Sequence, residues 1–353
     1  MKSWRHILRY LVSLQLLPAL ESGEDVLLVG GQAVVEGVMM RSPHAWGIAI
    51  RKPSGEITTH CETLERPSEK RKWLGYPFIR GLATLGQAMK LGFVASKFSL
   101  NVGLEAIAEE EKQKAAAAAR GSETAAAVGK AEAATEKPSS QIGTWGIVAS
   151  MIFSIGFFIF MYKFIPLLAA TGLKHHWSAL NNNFAFNLVD GIIRIGLFLL
   201  FVWGISLFQD IKRIYHYHGA EHKTVFAFED HGMPSIPQAQ QYSTYHPRCG
   251  TSFLMTIMLI CIFVYAAFPV QGFWAKFALR IAFLPIISSV SYELIRFSAR
   301  HGKSIFALMT KPGLWLQRIT TQPPSDDQVE CAILALREAM ELEKKNGGEL
   351  VIA

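Results

Sequence analysis

An α-helical integral membrane protein, with about four transmembrane helices, a small cytosolic N-terminal β-rich unit and a C-terminal amphipathic helix, is the fold class that the sequence predicts. Three observations carry this expectation. Half of the 353 residues are hydrophobic and the mean hydropathy is positive, which is too apolar for an ordinary soluble chain of this size. Four runs, 146–168, 188–208, 252–269 and 273–295, reach or approach the length that crosses a hydrocarbon core. Basic residues gather on alternate connections: Lys70, Arg71, Lys72 and Arg80 before the runs, Lys212, Arg213, Lys223 and Arg248 between the second and third, and Arg296, Arg300, Lys303, Lys311 and Arg318 after the fourth. By the positive-inside rule both termini and the central loop face the cytosol.

The elements follow in order. Residues 1–25 are an N-terminal extension; Lys2, Arg5 and Arg9 before a short apolar run resemble a signal peptide. Cleavage there would send the basic region outward against the charge rule, so an amphipathic extension is the better reading. Residues 26–77 are β-rich. Val26 to Val29 form a first strand ending at Gly30-Gly31, and 47–50 meets 56–59 across Pro53-Ser54-Gly55. Glu36 and Arg41 are expected to form a charge pair within this unit.

Residues 78–108 are helical in pattern, with Lys90, Lys97, Asn101 and Glu105 on one stripe of an apolar surface, as in a helix lying in the membrane interface. A fifth span is the competing reading, and it would reverse the sidedness of everything after it. Residues 109–143 are an alanine-, glutamate- and lysine-rich linker, partly helical at best. The transmembrane domain occupies 144–310 and contains a cytosolic His-rich loop, 209–251. Inside the spans, Asp190 and Arg194 stand one helical turn apart and neutralise each other, Arg280 lies nearer the outer end of the fourth span, and Glu293 lies near its cytosolic end. The tail, 311–353, opens with a turn bearing an interfacial Trp315. A capping pattern at Ser325 to Gln328 then starts an amphipathic helix with Val329, Ile333, Leu336 and Met340 on one side.

The net charge of +7 does not indicate nucleic acid, because the basic residues are not interleaved with aromatics on one soluble domain. The four cysteines form no C-x-x-C pair. Three of them fall on the reducing side and Cys261 falls inside a span, which excludes a disulfide framework.

Chemistry concentrates in Tyr215-His216-Tyr217-His218-Gly219-Ala220-Glu221-His222-Lys223. On a helix, His218 and His222 share a face with Glu221 beside them, in the order H-x-x-E-H. Two imidazoles so spaced grip one divalent ion, zinc above others, and an adjacent carboxylate serves as general base. A third ligand is sought in His246 or Cys249 of Tyr245-His246-Pro247-Arg248-Cys249-Gly250, and Arg248 suits an oxyanion or phosphate. Glu293 is a further candidate for the site's surroundings. Each has a plainer reading: a polar helix end at the headgroups, a small residue packed at the start of a span, and an arginine at a cytosolic boundary.

Four segments together closely resemble the YqhQ-like family: residues 30–41, from Gly30-Gly31-Gln32 to Arg41; residues 217–223, with His218-Gly219-Ala220-Glu221-His222; residues 242–253, with His246-Pro247-Arg248-Cys249; and residues 312–317, from Pro312-Gly313 to Gln317. Its members are bacterial multi-pass membrane proteins of unassigned function, often labelled predicted metal-dependent enzymes. The resemblance implies the bacterial inner membrane and metal chemistry, and brings no substrate. The expectation is a zinc-type hydrolase acting from the cytosolic side on a membrane-associated substrate, with the bilayer as partner and a homo-oligomer allowed. The rivals are a receptor or scaffold in which the same residues build a docking surface, and a transporter, which four spans would permit only in an oligomer.

Overall fold

The computed structural model describes residues 29–120, 144–247, 249–300 and 311–345. The N-terminal extension, the strand expected over 26–28, the linker from 121 to 143, Arg248 and the tail beyond 345 lie outside the described residues. The chain forms two compact units, one of Met1–Leu100, Leu199–Cys261 and Phe283–Ala353, the other of Asn101–Phe198 and Ile262–Ala282.

The first unit is built on an antiparallel meander of β1 (Gly30–Val34), β2 (Gly37–Arg41), β3 (Ala45–Arg51) and β4 (Ile57–Thr63). The glycines expected to end a strand instead begin β1, paired Gly30 to Arg41 and Gly31 to Met40. Val35 and Glu36 make the first hairpin, and Glu36 takes a positive φ of 57°. The second tight turn follows the Pro53-Ser54-Gly55 signal, with Lys52 N–H donating to Glu56 O at 2.8 Å.

β2 and β3 are buried almost throughout because the sheet is covered on both faces. On one face lies the terminal helix, Asp326–Lys345. Its Val329, Ile333, Leu336 and Met340 join Val38, Met40 and Ala49 in the core. On the other lies the long helix α1 (Ile79–Arg120). Gln87 Nε2 donates to Glu65 O at 2.7 Å, His60 stacks on Phe98 at 5.3 Å, and Ser99 Oγ donates to Val35 O at 2.5 Å. Buried Leu91, Ala95 and Ser99 mark the inward stripe, while Met89, Phe93 and Leu100 remain exposed. The helix runs on to Arg120, so the described part of the alanine-rich linker is helical.

The apolar runs are helices. They are α2 (Thr144–Ile159), continued through a π-bulge at Phe160–Phe164 into α3 (Ile165–Lys174), then α4 (Asn183–Ser206), and later α7 (Gly250–Ala267), α8 (Phe273–Ala282) and α9 (Leu284–Arg300). Between α4 and α7, the stretch expected as a loop folds into α5 (Gln209–His231) and the short α6 (Ile236–Gln240). After α9 come α10 (Lys311–Thr320), which replaces the expected turn, and the terminal helix α11 (Asp326–Lys345).

Four helices among the described residues are long and apolar enough to cross a membrane: Ile79–Gln113, Ile152–Lys174, Asn183–Ser206 and Gly250–Ala267. The expected fourth span is interrupted at Phe283, where α8 and α9 meet at 47°, and it makes a fifth candidate if the pair is one span. Prolines account for both irregularities. Pro285 lacks the N–H that would continue α8. Pro166 cannot donate to Tyr162 O, and the π-bulge sits just ahead of it. Arg194 Nε donates to that freed carbonyl at 3.0 Å.

The second unit packs Leu167, Ala170 and Phe186 with Ile193, Phe273 and Phe277. Asp190 and Arg194 pair as expected, and Arg280 joins them, its Nη1 2.5 Å from Asp190 Oδ1.

Candidate metal centre

α5 carries two working faces. Tyr217, Ala220, Val225 and Phe228 are buried in the core shared with the sheet and α11. The side carrying His218 and His222 meets two segments, 242–247 with Cys249 and 320–324, and the second of these also reaches His216. Gly219 allows this: a Cβ there would lie 2.1 Å from Gln322 O. With the segment that close, Gln322 N–H donates to Tyr215 O at 2.9 Å, and His216 Nδ1 donates to Pro323 O at 2.7 Å.

The same contacts set the imidazole tautomers. His218 Nδ1 donates to Thr320 O at 2.8 Å, and His222 Nδ1 donates to Thr244 O. A carbonyl only accepts, so each ring holds its proton on Nδ1 and presents the lone pair of Nε2. His218 Nε2 lies 3.2 Å from Cys249 Sγ. The ligand atoms of His218, His222 and Cys249 all lie within 4.8 Å of one another. In a tetrahedral zinc site the bond lengths put ligand atoms roughly 3.3–3.6 Å apart, so this donor set fits one ion after small ring rotations. Backbone carbonyls on the distal ring nitrogens are what histidine ligands usually have. Cys249 immediately precedes α7.

His246, the other expected ligand, stands beside this trio. Its ring centroid is 5.6 Å from His222 and 4.4 Å from Phe226, and its Nε2 is 3.9 Å from Glu229 Oε2. Burial drives its pKa down to about 4, partly opposed by the charge of Glu221, so the ring is neutral. The turn bearing it is clamped by Gln317 of α10. Gln317 Oε1 accepts from His246 N–H at 2.7 Å, and Gln317 Nε2 donates to His246 O at 2.8 Å and to Ser252 Oγ at 2.9 Å.

Glu221 is buried and turns toward the sheet. Its Oε1 accepts from Gly31 N–H at 3.0 Å, an approach that needs glycine because a Cβ there would meet Glu221 Cγ at 2.9 Å and Met39 O at 2.6 Å. Arg248 lies outside the described residues.

Two expectations are corrected. Glu36 does not pair with Arg41; it lies 2.6 Å from Arg213 Nε and accepts a longer bond from Tyr217 Oη, because the tight hairpin turns it toward α5. Glu293 does not join the histidines; Arg80 of α1 holds both its oxygens, at 2.7 and 2.5 Å. Gln317 and the carbonyls of Thr244 and Thr320 were not foreseen. A glutamine beside an interfacial tryptophan looks like surface, and carbonyl direction leaves no trace in side-chain chemistry.

The protein described as "Uncharacterized protein YqhQ" from Bacillus subtilis (strain 168) is 29% identical over 325 residues, covering 89% of this chain and 92% of the relative. No solved structure matches. A family model described as "Protein of unknown function (DUF1385)" matches residues 76–342, which include every described element of the candidate centre except the β1 strand behind Glu221, and the chain belongs to that family.

Proposed function

We propose that the chain is a membrane-embedded metal-dependent hydrolase with a cytosol-facing, zinc-type site. The observation that carries this reading is the convergence of His218, His222 and Cys249 within 4.8 Å, with both Nδ1 atoms engaged by backbone carbonyls. Three protein ligands among the described residues leave a coordination position open, the pattern of catalytic rather than structural zinc. Such an ion would supply Lewis acidity toward a carbonyl or phosphoryl group. Glu221 is the general base through Oε2, while Oε1 stays on Gly31. Neutral His246 and Phe226 wall the site against water, and Arg248 neutralises an anionic substrate group.

Membrane placement follows from a parity argument. The sheet, α5 and α11 pack as one body, so they occupy the same side of any bilayer. An even number of crossings must then separate β4 from α5, and α5 from α11. α2–α3 with α4 supply the first two, and α7 with the bent α8–α9 pair supply the second two. α1 is left lying along the surface, in keeping with its contacts to the sheet from Gln87 to Ser99. Basic Lys212, Arg213 and Lys223 then put that side in the cytosol.

Elemental analysis of detergent-purified protein tests the reading. Wild type should carry about one zinc per chain, and the His218→Ala/His222→Ala double variant almost none. Equal metal in both rejects it. The 3.2 Å thiol–imidazole contact also favours a second reading, a metal-free pair with Cys249 as nucleophile and His218 as its base. Rapid alkylation of Cys249 that EDTA leaves unchanged and His218→Ala abolishes would select it.

A further inference from the structure

Within the helical unit, one carboxylate serves two arginines. Arg194 and Arg280 are 2% and 1% exposed, and both bind Asp190, itself 1% exposed. Asn187 Oδ1 accepts from Arg280 Nη2 at 3.4 Å, and Tyr265 Oη donates to Arg280 O at 3.3 Å. Guanidinium does not lose its proton in proteins, so among the described residues one positive charge is left over in a site walled by apolar helices. Arg194 Nη1 is fully buried with no hydrogen-bond partner among the described residues, and so is Tyr162 Oη, on the residue whose carbonyl Arg194 Nε holds.

Further positive charge surrounds the pair. Lys163, carried by the π-bulge and buried, has its Nζ 3.1 Å from Tyr265 Oη. Lys163, Arg194 and Arg280 face the Tyr265 ring at 5.5, 5.4 and 5.2 Å from its centroid. Lys276 sits 3.7 Å over the Phe186 ring. An aromatic face attracts cations but carries no net charge, so it does not balance the surplus. Ionisable groups inside spans are costly and ordinarily mark a binding site or a path.

We propose that this cluster is an oxyanion site: a phosphate or carboxylate group is held by Arg194 Nη1, with Lys163 Nζ and Tyr162 Oη as further donors. The shared chemistry admits a lipid headgroup or a free anion, and binding restores neutrality to the buried arginines. The proposal is independent of the metal centre, since none of these residues belongs to it.

The test is thermal unfolding of the full chain, followed by tryptophan fluorescence. One arm compares inorganic phosphate with chloride at equal ionic strength; the other compares nanodiscs of phosphatidylglycerol with nanodiscs of phosphatidylcholine. A ligand that occupies the site raises Tm by about 2–4 °C or more in its own arm. Arg194→Met, which leaves a balanced Asp190–Arg280 pair, should abolish the rise and weaken anion binding at least about tenfold. If that variant does not fold, Arg280→Gln is the alternative, and native mass spectrometry of wild type counts bound phosphate or phosphatidylglycerol directly. No shift and no bound anion in either arm, or the same shift in Arg194→Met, overturns the proposal.

Discussion

Single side chains decide whether the centre can assemble. Gly219 has no room to grow, because Gln322 O occupies the space a methyl group would need. Gly219→Ala should cost about 1–3 kcal/mol by overpacking, read as a lower Tm, and should lower zinc content by pushing Thr320 O away from His218. Gln317→Ala removes three hydrogen bonds around His246 and Ser252. It should cost about 1–3 kcal/mol through the buried groups left unsatisfied, and a chemical-denaturation midpoint would report it. At this scale the sequence was half legible. His218 and His222 stood out, with His246 or Cys249 beside them, because side-chain type and spacing are visible in a sequence; that Cys249 is the one grouped with the pair was not. Gln317 did not stand out, because its task is to fix a turn more than sixty residues away in the chain, and Glu293 misled because depth along a helix says nothing about which neighbour is nearer.

Between elements, the docking of α11 on the sheet has its own pH signature. His44 Nδ1 lies 2.7 Å from Glu343 Oε1, Ser42 Oγ donates to Glu343 Oε2 at 2.6 Å, and His44 Nε2 lies 2.9 Å from Glu69 Oε1. Burial lowers the His44 pKa, but the bonds to Glu343 and Glu69 outweigh it, and the net shift is upward from 6.5. Burial raises the Glu343 pKa, but the bonds from Ser42 and His44 outweigh it, and the net shift is downward from 4.5. The raised histidine stabilises below its ordinary pKa and loses this as pH rises through its folded value. The depressed carboxylate stabilises above its ordinary pKa and loses this as pH falls. Both contributions are therefore present between about pH 4.5 and 6.5. The stability difference between wild type and His44→Ala should be widest there and close on either side, as denaturation at a series of pH values would show. Periodicity made α11 legible, since its apolar residues recur every three or four positions. The break at Phe283 and the bulge at Phe160–Phe164 were harder to read, because a single proline inside an apolar run, Pro285 or Pro166, hardly changes its hydropathy.

For the molecule as a whole, the sidedness argument predicts reporter behaviour. Green fluorescent protein fused after Met233 or at the C terminus should fluoresce, and alkaline phosphatase should be active only when fused near Trp177 or Gln271. Active phosphatase at Met233 would overturn this sidedness. Whether α1 crosses was not legible in the sequence: its composition suits either an interfacial or a spanning helix, and only its contacts with the sheet favour the first. The sheet has another consequence, in time rather than space. β3 is covered on one face by α11, which follows every other described element in the chain. At ~5–20 residues per second, the stretch between Thr63 and Asp326 takes roughly 15–50 s to synthesise. Throughout that interval the strands emerge without their lid while the apolar helices are still being made, so the nascent chain needs shelter from chaperones. Messages cut short before α11 should yield products that are degraded rather than stored.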